Sequence, residues 1–338
     1  MVNSLLVAST LKAFEEIFES NEIPYELEHN NAHKSYQECW DNTSDEDKAL
    51  SLRQSRPAVR RIVSKEPYIF KKDGNPLKVR FNDENRDFEK DSFGELLLER
   101  KDLNWRISIS VKSDAKVIAT MPVAERDKDV FMNKIVNSFN EIDDFGDRVF
   151  GVPCSQEYFL DMNEILMRIA PHDREKWSVL RKDDPFVYNT LITPMLRAMG
   201  DEVKRICADH PEAPQRMLEY FYGKIDYYYI NPIDEVEATR IGAVNSHKGL
   251  GRIPNNHNLY TPSVKFPTKL LDVRFANGRY GELSQDTIQF SFDGGWSICL
   301  MIVPGSDDIE DRSFALKVYL PVTPFGSYRD QVDWDPAE

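Results

Sequence analysis

Residues 93–112 read FGELLLERKDLNWRISISVK, and this stretch decides our interpretation of the fold. The pattern predicts two strands, 95–100 and 105–112, joined by the polar turn 101–104. In the second strand apolar and polar residues alternate, so one face of the hairpin is apolar and the other is polar. The stretch therefore predicts a β-hairpin with two chemically different faces.

The register of this hairpin follows from its turn. Symmetric pairing about the turn sets Leu97 opposite Ser108 and Glu95 opposite Ser110. Lys112 then lies one pleat beyond Ser110 on the polar face, diagonal to Glu95. A carboxylate, a hydroxyl and an ammonium group are thus predicted to lie side by side.

These three side chains suit a metal-dependent phosphodiesterase. Glu95 would bind Mg²⁺, because hard cations prefer carboxylate oxygen. Lys112 would orient the attacking water or steady the charge that grows on the phosphate oxygens. An ordinary solvated strand face shows the same alternation, and S-x-K tripeptides are common in proteins. The residues alone leave both interpretations open.

Four stretches of the chain are similar to the motifs of one known family. They are NEIPYELEHNNAHKSY (21–36), the hairpin, DDFGDRVFGVPCSQEYF (143–159) and FSFDGGWSICLMIVPGSDDIEDRSFALKVYL (290–320). The third resembles the family's I-D-F-G-x-x-W-F-G-x-P-C-S-x-x-Y block, and the hairpin resembles its W-E-I-G-x-S-x-K stretch. The chain therefore resembles the HaeIII-like type II restriction endonucleases, in the PD-(D/E)xK nuclease superfamily.

This resemblance implies a fold, a reaction and a cofactor. The fold is α/β of the mixed α+β kind, a PD-(D/E)xK nuclease core with flanking helices and a mostly antiparallel, β-rich C-terminal half. The reaction is Mg²⁺-dependent hydrolysis of duplex DNA at GGCC, leaving 5′-phosphate and 3′-hydroxyl ends. In that reaction Glu95 would bind the metal, Ser110 would hold the geometry and Lys112 would activate the water.

Glu125 is the candidate for a second metal-binding carboxylate. It opens a predicted helix, 125–143, thirteen positions after Lys112. In restriction enzymes that this S-x-K resembles, a carboxylate on the following helix replaces the missing acid of the (D/E)-x-K motif. An acid in the first turn of a helix also interacts favourably with the helix dipole. Both roles stay open for Glu125.

The chain also departs from the family pattern at several positions. Glu95 stands where the family has aspartate, and the histidine-rich segment that follows the family's lysine contains no histidine here. The family's F-R-I-H-N appears as LMIVP at 300–304. These differences leave two alternatives to a nuclease: a DNA-binding relative with weak or no cleavage, and an acidic interaction protein without affinity for DNA.

Two regions are candidates for contact with duplex DNA. The stretch LRQSRPAVRRIVSK (52–65) places Arg56 and Arg60 on one side of a predicted helix, as a phosphate-binding stripe or as a solvated face. The loop HKGLGRIPNNHNLYTP (247–262) carries side chains suited to base edges, unless it is an ordinary surface loop. Its candidates are Lys248, Arg252, Asn255 and Asn256.

Composition limits the class of protein. The net charge of −14 requires a DNA-binding protein to concentrate its cations in a cleft. The chain has no long apolar run and no basic leader, so we expect neither a membrane span nor a signal peptide. Four scattered cysteines without C-x-x-C favour free thiols in the cytoplasm over a zinc site. ATP-driven, redox and serine-hydrolase motifs are missing from the sequence.

The predicted organisation has three consecutive regions. Residues 1–222 form a helix-rich nuclease core with the catalytic hairpin, 223–326 form a β-rich recognition region packed on that core as one compact unit, and 327–338 form a frayed tail. A palindromic DNA site would imply a homodimer. A cognate DNA methyltransferase encoded alongside is also implied, because an active restriction enzyme is lethal without protection.

Local patterns predict several further elements of secondary structure. Helices are expected at 4–19 and 44–63, the second broken at Pro57, and a strand is expected at 77–81. Six more strands are expected as an antiparallel meander in the C-terminal half. They are 225–230, 236–244, 269–275, 287–292, 296–303 and 314–320.

Overall fold

The structure is a computed structural model. It describes residues 4–81, 94–111, 117–122, 203–222, 225–254, 258–275, 287–304, 314–319 and 324–336, together with isolated positions between 176 and 201. The chain divides into two compact units. Unit 1 comprises Met1–Ala115, Tyr222–Lys265 and Phe325–Glu338, and unit 2 comprises Lys116–Phe221 and Phe266–Pro324. Each unit combines stretches that are distant in the sequence, whereas the predicted regions were consecutive.

The structure describes the helices α1 (Ser4–Ser20), α2 (Asn31–Asp41), α3 (Asp45–Val63) and α4 (Ala213–Tyr222). Helices α1 and α3 begin and end close to where the sequence patterns predict, whereas α2 was not predicted. The side chain of Ser44 caps α3 by accepting a hydrogen bond from the Asp47 backbone N–H at 3.1 Å. No helix in this part of the chain is long and apolar enough to cross a membrane.

The strands form two sheets. In chain order they are β1 (Tyr25–Leu27), β2 (Leu77–Phe81), β3 (Leu96–Arg100), β4 (Trp105–Val111), β5 (Val117–Pro122), β6 (Tyr227–Ile233), β7 (Ala238–Val244), β8 (Leu270–Phe275), β9 (Thr287–Phe292), β10 (Ser297–Pro304), β11 (Phe314–Tyr319) and β12 (Arg329–Asp333). The order in the first sheet is β1-β2-β3-β4-β6-β7-β12, and in the second it is β5-β11-β10-β9-β8. The first sheet lies in unit 1 and the second in unit 2.

This architecture confirms the predicted mixed α+β class. Among the strands that the structure describes, most pairs are antiparallel, and only β1–β2 and β4–β6 are parallel. The C-terminal strands do not form one meander, because β6 and β7 join the hairpin sheet while β8 to β11 form the other. Three strands were not predicted: β1 pairs with β2, β5 pairs with β11, and β12 lies in the expected tail, where it pairs with β7.

One face of the first sheet is packed against α1 and α3. The apolar positions of β2, β3, β4, β6 and β7 point to this side, which we call the helix face, and their side chains are almost completely buried. Its central members are Val79, Leu98, Ile107, Ile109, Ile230 and Ile241 from the sheet and Leu11, Phe14, Val59 and Ile62 from the helices. The alternation of the hairpin thus decides which face is the core.

Helix α3 runs through Pro57 without the predicted break. A proline in a helix has no N–H to donate to the carbonyl four residues earlier, here that of Arg53. The backbone N–H of Asp335 donates to that carbonyl instead, at 3.3 Å. In addition, Arg53 Nε donates a hydrogen bond of 2.7 Å to the carbonyl of Asp335. The C-terminal segment therefore supplies the hydrogen bond that the proline removes.

The hairpin is anchored by a buried arginine at its turn end. Arg100 has 0% of its surface exposed, and its guanidinium donates to three backbone carbonyls. The acceptors are Tyr68 at 2.8 Å, Asn75 at 2.6 Å and Ile69 at 3.1 Å. Burial lowers the pKa of Arg100, and the three bonds compensate for the lost hydration. The segment before β2 is thereby fixed to β3.

A second buried ionisable group, Glu66, connects the end of α3 to the first sheet. It is fully buried, and its Oε1 accepts from the Tyr228 hydroxyl at 2.7 Å and from the Gly251 backbone N–H at 2.6 Å. Burial raises the pKa of Glu66 to about 8, although both hydrogen bonds act to lower it. Glu66 is therefore mostly protonated at neutral pH.

Glu66 should make the stability of the protein depend on pH. The unfolded chain loses this proton near the ordinary pKa of 4.5, whereas the folded chain keeps it until about 8. Its contribution is thus complete below pH 4.5 and is lost as the pH rises towards 8. Between these limits we expect the free energy of unfolding of the wild type to fall by about 1.4 kcal/mol per pH unit relative to Glu66→Gln.

Urea unfolding of both proteins at pH 5.5 and 7.5 measures this difference. Glutamine resembles the neutral acid and does not titrate, so the variant isolates the effect of the Glu66 proton. Glu235→Gln, at an exposed carboxylate, is the matched control and should track the wild type. A wild type and a Glu66→Gln variant with parallel pH profiles would contradict the raised pKa.

Candidate active site

The register of the hairpin is the one that the sequence predicts. Leu97 pairs with Ser108, and Leu96 pairs with Ile109, so the residue before Leu96 lies level with Ser110. That residue is Glu95, whose side chain is buried with 7% of its surface exposed. Its Oε2 accepts a hydrogen bond of 2.5 Å from the backbone N–H of Val111. The structure thus brings Glu95 and Ser110 together at the end of the sheet.

A tight backbone contact beside Glu95 fixes this arrangement. The N–H of Gly94 donates to Ser108 Oγ at 2.8 Å, and that hydroxyl donates to the carbonyl of Leu96 at 3.3 Å. A Cβ on residue 94 would lie 2.3 Å from both Ser108 Oγ and the Ile109 carbonyl oxygen. Only glycine lets the chain approach β4 so closely. The role of this glycine was not predicted from the sequence, because the contact depends on the register.

Further polar groups lie on the side of the sheet that carries Glu95. We call this side the polar face. Tyr229 on β6 lies beside Ser110, and Gly242 on β7 lies beside Tyr229. The space above Gly242 is filled by the Tyr229 ring, since a Cβ there would lie 2.0 Å from it. Asn231 and Arg240 pair with each other two residues further along on the same face.

Arg240 is a cation of this group. Its side chain is exposed, and within the described part of the chain no carboxylate lies at ion-pair distance from it. Asn231 Oδ1 is buried and accepts no hydrogen bond from the described residues. Neither residue was predicted from the sequence, since the strands that align them with Ser110 are far apart in the chain.

The predicted arginine stripe lies on the opposite side of the sheet. Arg56 and Arg60 project from α3, which packs on the helix face. Arg56 binds Glu16 through two bonds of 2.7 and 2.8 Å. Arg60 binds Asp335 through two bonds of 2.7 and 3.0 Å. Both guanidinium groups therefore already hold carboxylates of the same chain.

The predicted recognition loop is anchored at the turn end of the hairpin. The Asp226 carboxylate accepts from the backbone N–H groups of His247 and Gly249, which fixes the loop start around Lys248. Arg252 donates to the carbonyl of Asn104 in the hairpin turn at 3.3 Å. Glu95 lies five residues from the turn along β3, about 17 Å away at the rise of an extended strand.

The remaining predicted site residues lie outside the described residues. They are Lys112, Glu125, Asn255 and Asn256. The described residues contain no cluster of three or more side chains that could hold a metal ion. For a hard cation they offer the Glu95 carboxylate, whose position is set by its bond to the Val111 N–H. This carboxylate suits Mg²⁺ as one ligand of several.

Comparisons with known proteins identify the family of the chain. A model of the HaeIII restriction endonuclease family matches residues 9–321. The Type II restriction enzyme HaeIII of Haemophilus aegyptius is 25% identical over 290 residues, which are 84% of this chain and 82% of that enzyme. No solved structure matches the chain.

The matches, which span nearly the whole chain, define a site-specific deoxyribonuclease. The chain belongs to the HaeIII restriction endonuclease family. The resemblance of the four sequence stretches is thereby confirmed.

Replacing Gly94 by alanine should disturb the site and the fold together. The new Cβ has to displace backbone of β4, so we expect the free energy of unfolding to fall by about 1–3 kcal/mol. The shift also moves the neighbouring Glu95, so DNA cleavage should fall more than stability alone explains. Urea unfolding and a cleavage assay below the unfolding transition measure the two effects.

Gly326→Asn is a suitable control for this variant. Nothing lies within 4 Å of a Cβ at residue 326, and asparagine tolerates its φ of 79°. This variant should retain cleavage and should lose less stability than Gly94→Ala, because it strains only its own backbone and displaces no neighbour. A Gly94→Ala protein with unchanged stability and activity would show that the close approach of Gly94 to β4 is unimportant.

Proposed function

We propose that the protein is a Mg²⁺-dependent type II restriction endonuclease that hydrolyses a short specific site in duplex DNA. The observation that carries the proposal is the Glu95 carboxylate, held on the polar face level with Ser110 by its bond to the Val111 N–H. Family membership supports the reaction, and a GGCC-like site follows from the similarity to HaeIII.

Each predicted residue has a role in this proposal. Glu95 binds the metal ion, with Glu125 as a second carboxylate, and Ser110 holds the geometry of the site. Lys112, which follows β4 directly, orients the attacking water and steadies the charge on the phosphate oxygens. When bound, Mg²⁺ supplies Lewis-acid polarisation of the phosphate. The products carry 5′-phosphate and 3′-hydroxyl ends.

A second candidate function is DNA binding with weak or no cleavage. The missing histidines after Lys112 and the sequence LMIVP at 300–304 favour it. A third candidate is an acidic interaction protein, which the net charge of −14 favours. Incubation of phage DNA with Mg²⁺ gives discrete fragments only for a nuclease. A gel shift in Ca²⁺ gives a complex for either of the first two functions and none for the third.

The biological setting of the proposal follows from the reaction. A palindromic target would be bound by a homodimer, since the symmetry of the protein then matches that of the DNA. A cognate methyltransferase encoded alongside would protect the host chromosome, and both proteins would act in the cytoplasm. Sedimentation with and without DNA tests the dimer.

Replacing the proposed catalytic groups should abolish cleavage while leaving DNA binding intact. We expect Glu95→Gln and Lys112→Ala to lower the cleavage rate by roughly 10²-fold or more, because each removes a group that acts on the reacting phosphate or water. Complex formation in Ca²⁺ should remain. Single-turnover cleavage of a plasmid measures the first effect, and a gel shift measures the second.

Glu26→Gln, at an exposed carboxylate on β1, serves as the control and should cut normally. Lys112→Ala with the wild-type rate would remove lysine from the mechanism. Wild-type cleavage by Glu95→Gln would reject the proposed metal ligand.

Arg240 should contribute to binding of the DNA backbone, because it is an exposed cation on the polar face. We expect Arg240→Gln to weaken binding equally for all sequences and to reduce the dependence of log K on log salt by about 1. Filter binding between 50 and 200 mM salt, a range in which phosphate contacts dominate, measures both quantities.

The same assay tests the other proposed DNA contacts. Arg56→Gln and Arg60→Gln should cause a smaller loss than Arg240→Gln, because Glu16 and Asp335 already hold these guanidinium groups. Lys248→Ala and Arg252→Ala test the predicted recognition loop. We expect these variants to lose preference for the specific DNA sequence and to keep the salt dependence of binding. An Arg240→Gln protein with wild-type affinity would exclude β7 from the DNA contact.

A further inference from the structure

Two histidines come together where β1 leads into α2. The Nδ1 atoms of His29 and His33 lie 3.2 Å apart, and the two rings meet edge to face. Asn30 lies between them in the chain, caps α2 by accepting from the His33 backbone N–H at 3.0 Å, and donates to the carbonyl of Phe81 at 2.9 Å. The loop that carries the pair is thus fixed to both α2 and β2.

The separation of the two nitrogens suits a shared metal ion. With Zn–N distances of about 2.0–2.1 Å, a separation of 3.2 Å corresponds to an N–Zn–N angle of about 100°, close to the tetrahedral value. Imidazole nitrogen is a preferred ligand of Zn²⁺, Ni²⁺ and Cu²⁺, whereas Mg²⁺ prefers oxygen. We propose that His29 and His33 form a binding site for a divalent transition-metal ion such as Zn²⁺.

Several groups surround His33. Burial and the neighbouring His29 lower the pKa of His33. Two charges on α1 act in opposite directions: Glu15 raises this pKa and Lys12 lowers it. His29 is exposed, so water can fill the remaining coordination positions.

The position of the pair gives the bound metal a structural effect. The His33 ring packs on Phe81 with their centroids 4.7 Å apart. Phe81 ends β2 and pairs with Leu96, which follows Glu95 in the chain. The β1–α2 connection thus lies at the end of the sheet that carries Glu95. A metal ion bound by the two histidines would stabilise this connection. It would stabilise unit 1 without taking part in hydrolysis.

Zinc titration of the metal-free full-length protein tests the site. Calorimetry with ZnCl₂, in buffer with excess MgCl₂, should show one saturable site that is lost in His29→Ala and in His33→Phe. His33→Phe keeps an aromatic ring against Phe81 but has no nitrogen ligand. His210→Ala, which removes a histidine of unit 2, should keep the site. Zinc should also raise the melting temperature of the wild type and of His210→Ala only.

The outcomes separate a metal site from a hydrogen-bonded pair. Absence of saturable Zn²⁺ binding in the wild type, or equal binding by His29→Ala, would overturn the proposal and leave the two rings sharing a proton only. Should His33→Phe fail to fold, His29→Ala decides, because that side chain is exposed. Cleavage is not measured, so the result is independent of the proposed nuclease function.

Discussion

The hydrogen bond from the Val111 backbone N–H to the Glu95 carboxylate is the interaction on which the site depends. Because side chains alternate along a strand, a shift of one residue in the β3–β4 register would put Glu95 and Ser110 on opposite faces of the sheet. The contact between Gly94 and Ser108 opposes such a shift, since the backbones meet there without space for a side chain. Register and chemistry are therefore fixed by the same few atoms.

The two faces of the first sheet have different roles: one stabilises the fold, and the other carries the candidate site. The helix face buries aliphatic side chains against α1 and α3, and this burial is the main source of stability in unit 1. The polar face keeps Glu95, Ser110, Tyr229 and Arg240 in one region. Buried polar groups such as Glu66 and Arg100 are tolerated because they are hydrogen-bonded.

The elements that could be predicted from sequence are those whose signal is local. The hairpin register, β2 and β9 followed from alternation and turn residues that lie within the strands themselves. Strand β5 was missed because its partner β11 lies far along the chain, and the division of the C-terminal strands between two sheets has the same cause. Gly94 and Arg240 were missed because their importance appears only once the strands are paired.

Pro57 shows the limit of local rules most clearly. The rule that proline breaks a helix failed because a residue from the other end of the chain, Asp335, supplies the missing hydrogen bond. Of the predicted site, the structure brings together Glu95 and Ser110, and it places the α3 arginines and the loop cations away from them.

The role of the segment 329–335 has a consequence for the order of folding. Strand β12 closes the edge of the first sheet, and Asp335 completes α3 at Arg53, which lies 282 residues away along the chain. Contacts between residues so far apart form late, because the long loop that joins them must first be closed. The edge of β7 and the carbonyl of Arg53 are therefore sealed last, and until then β7 is an open edge to which a strand of another molecule could pair.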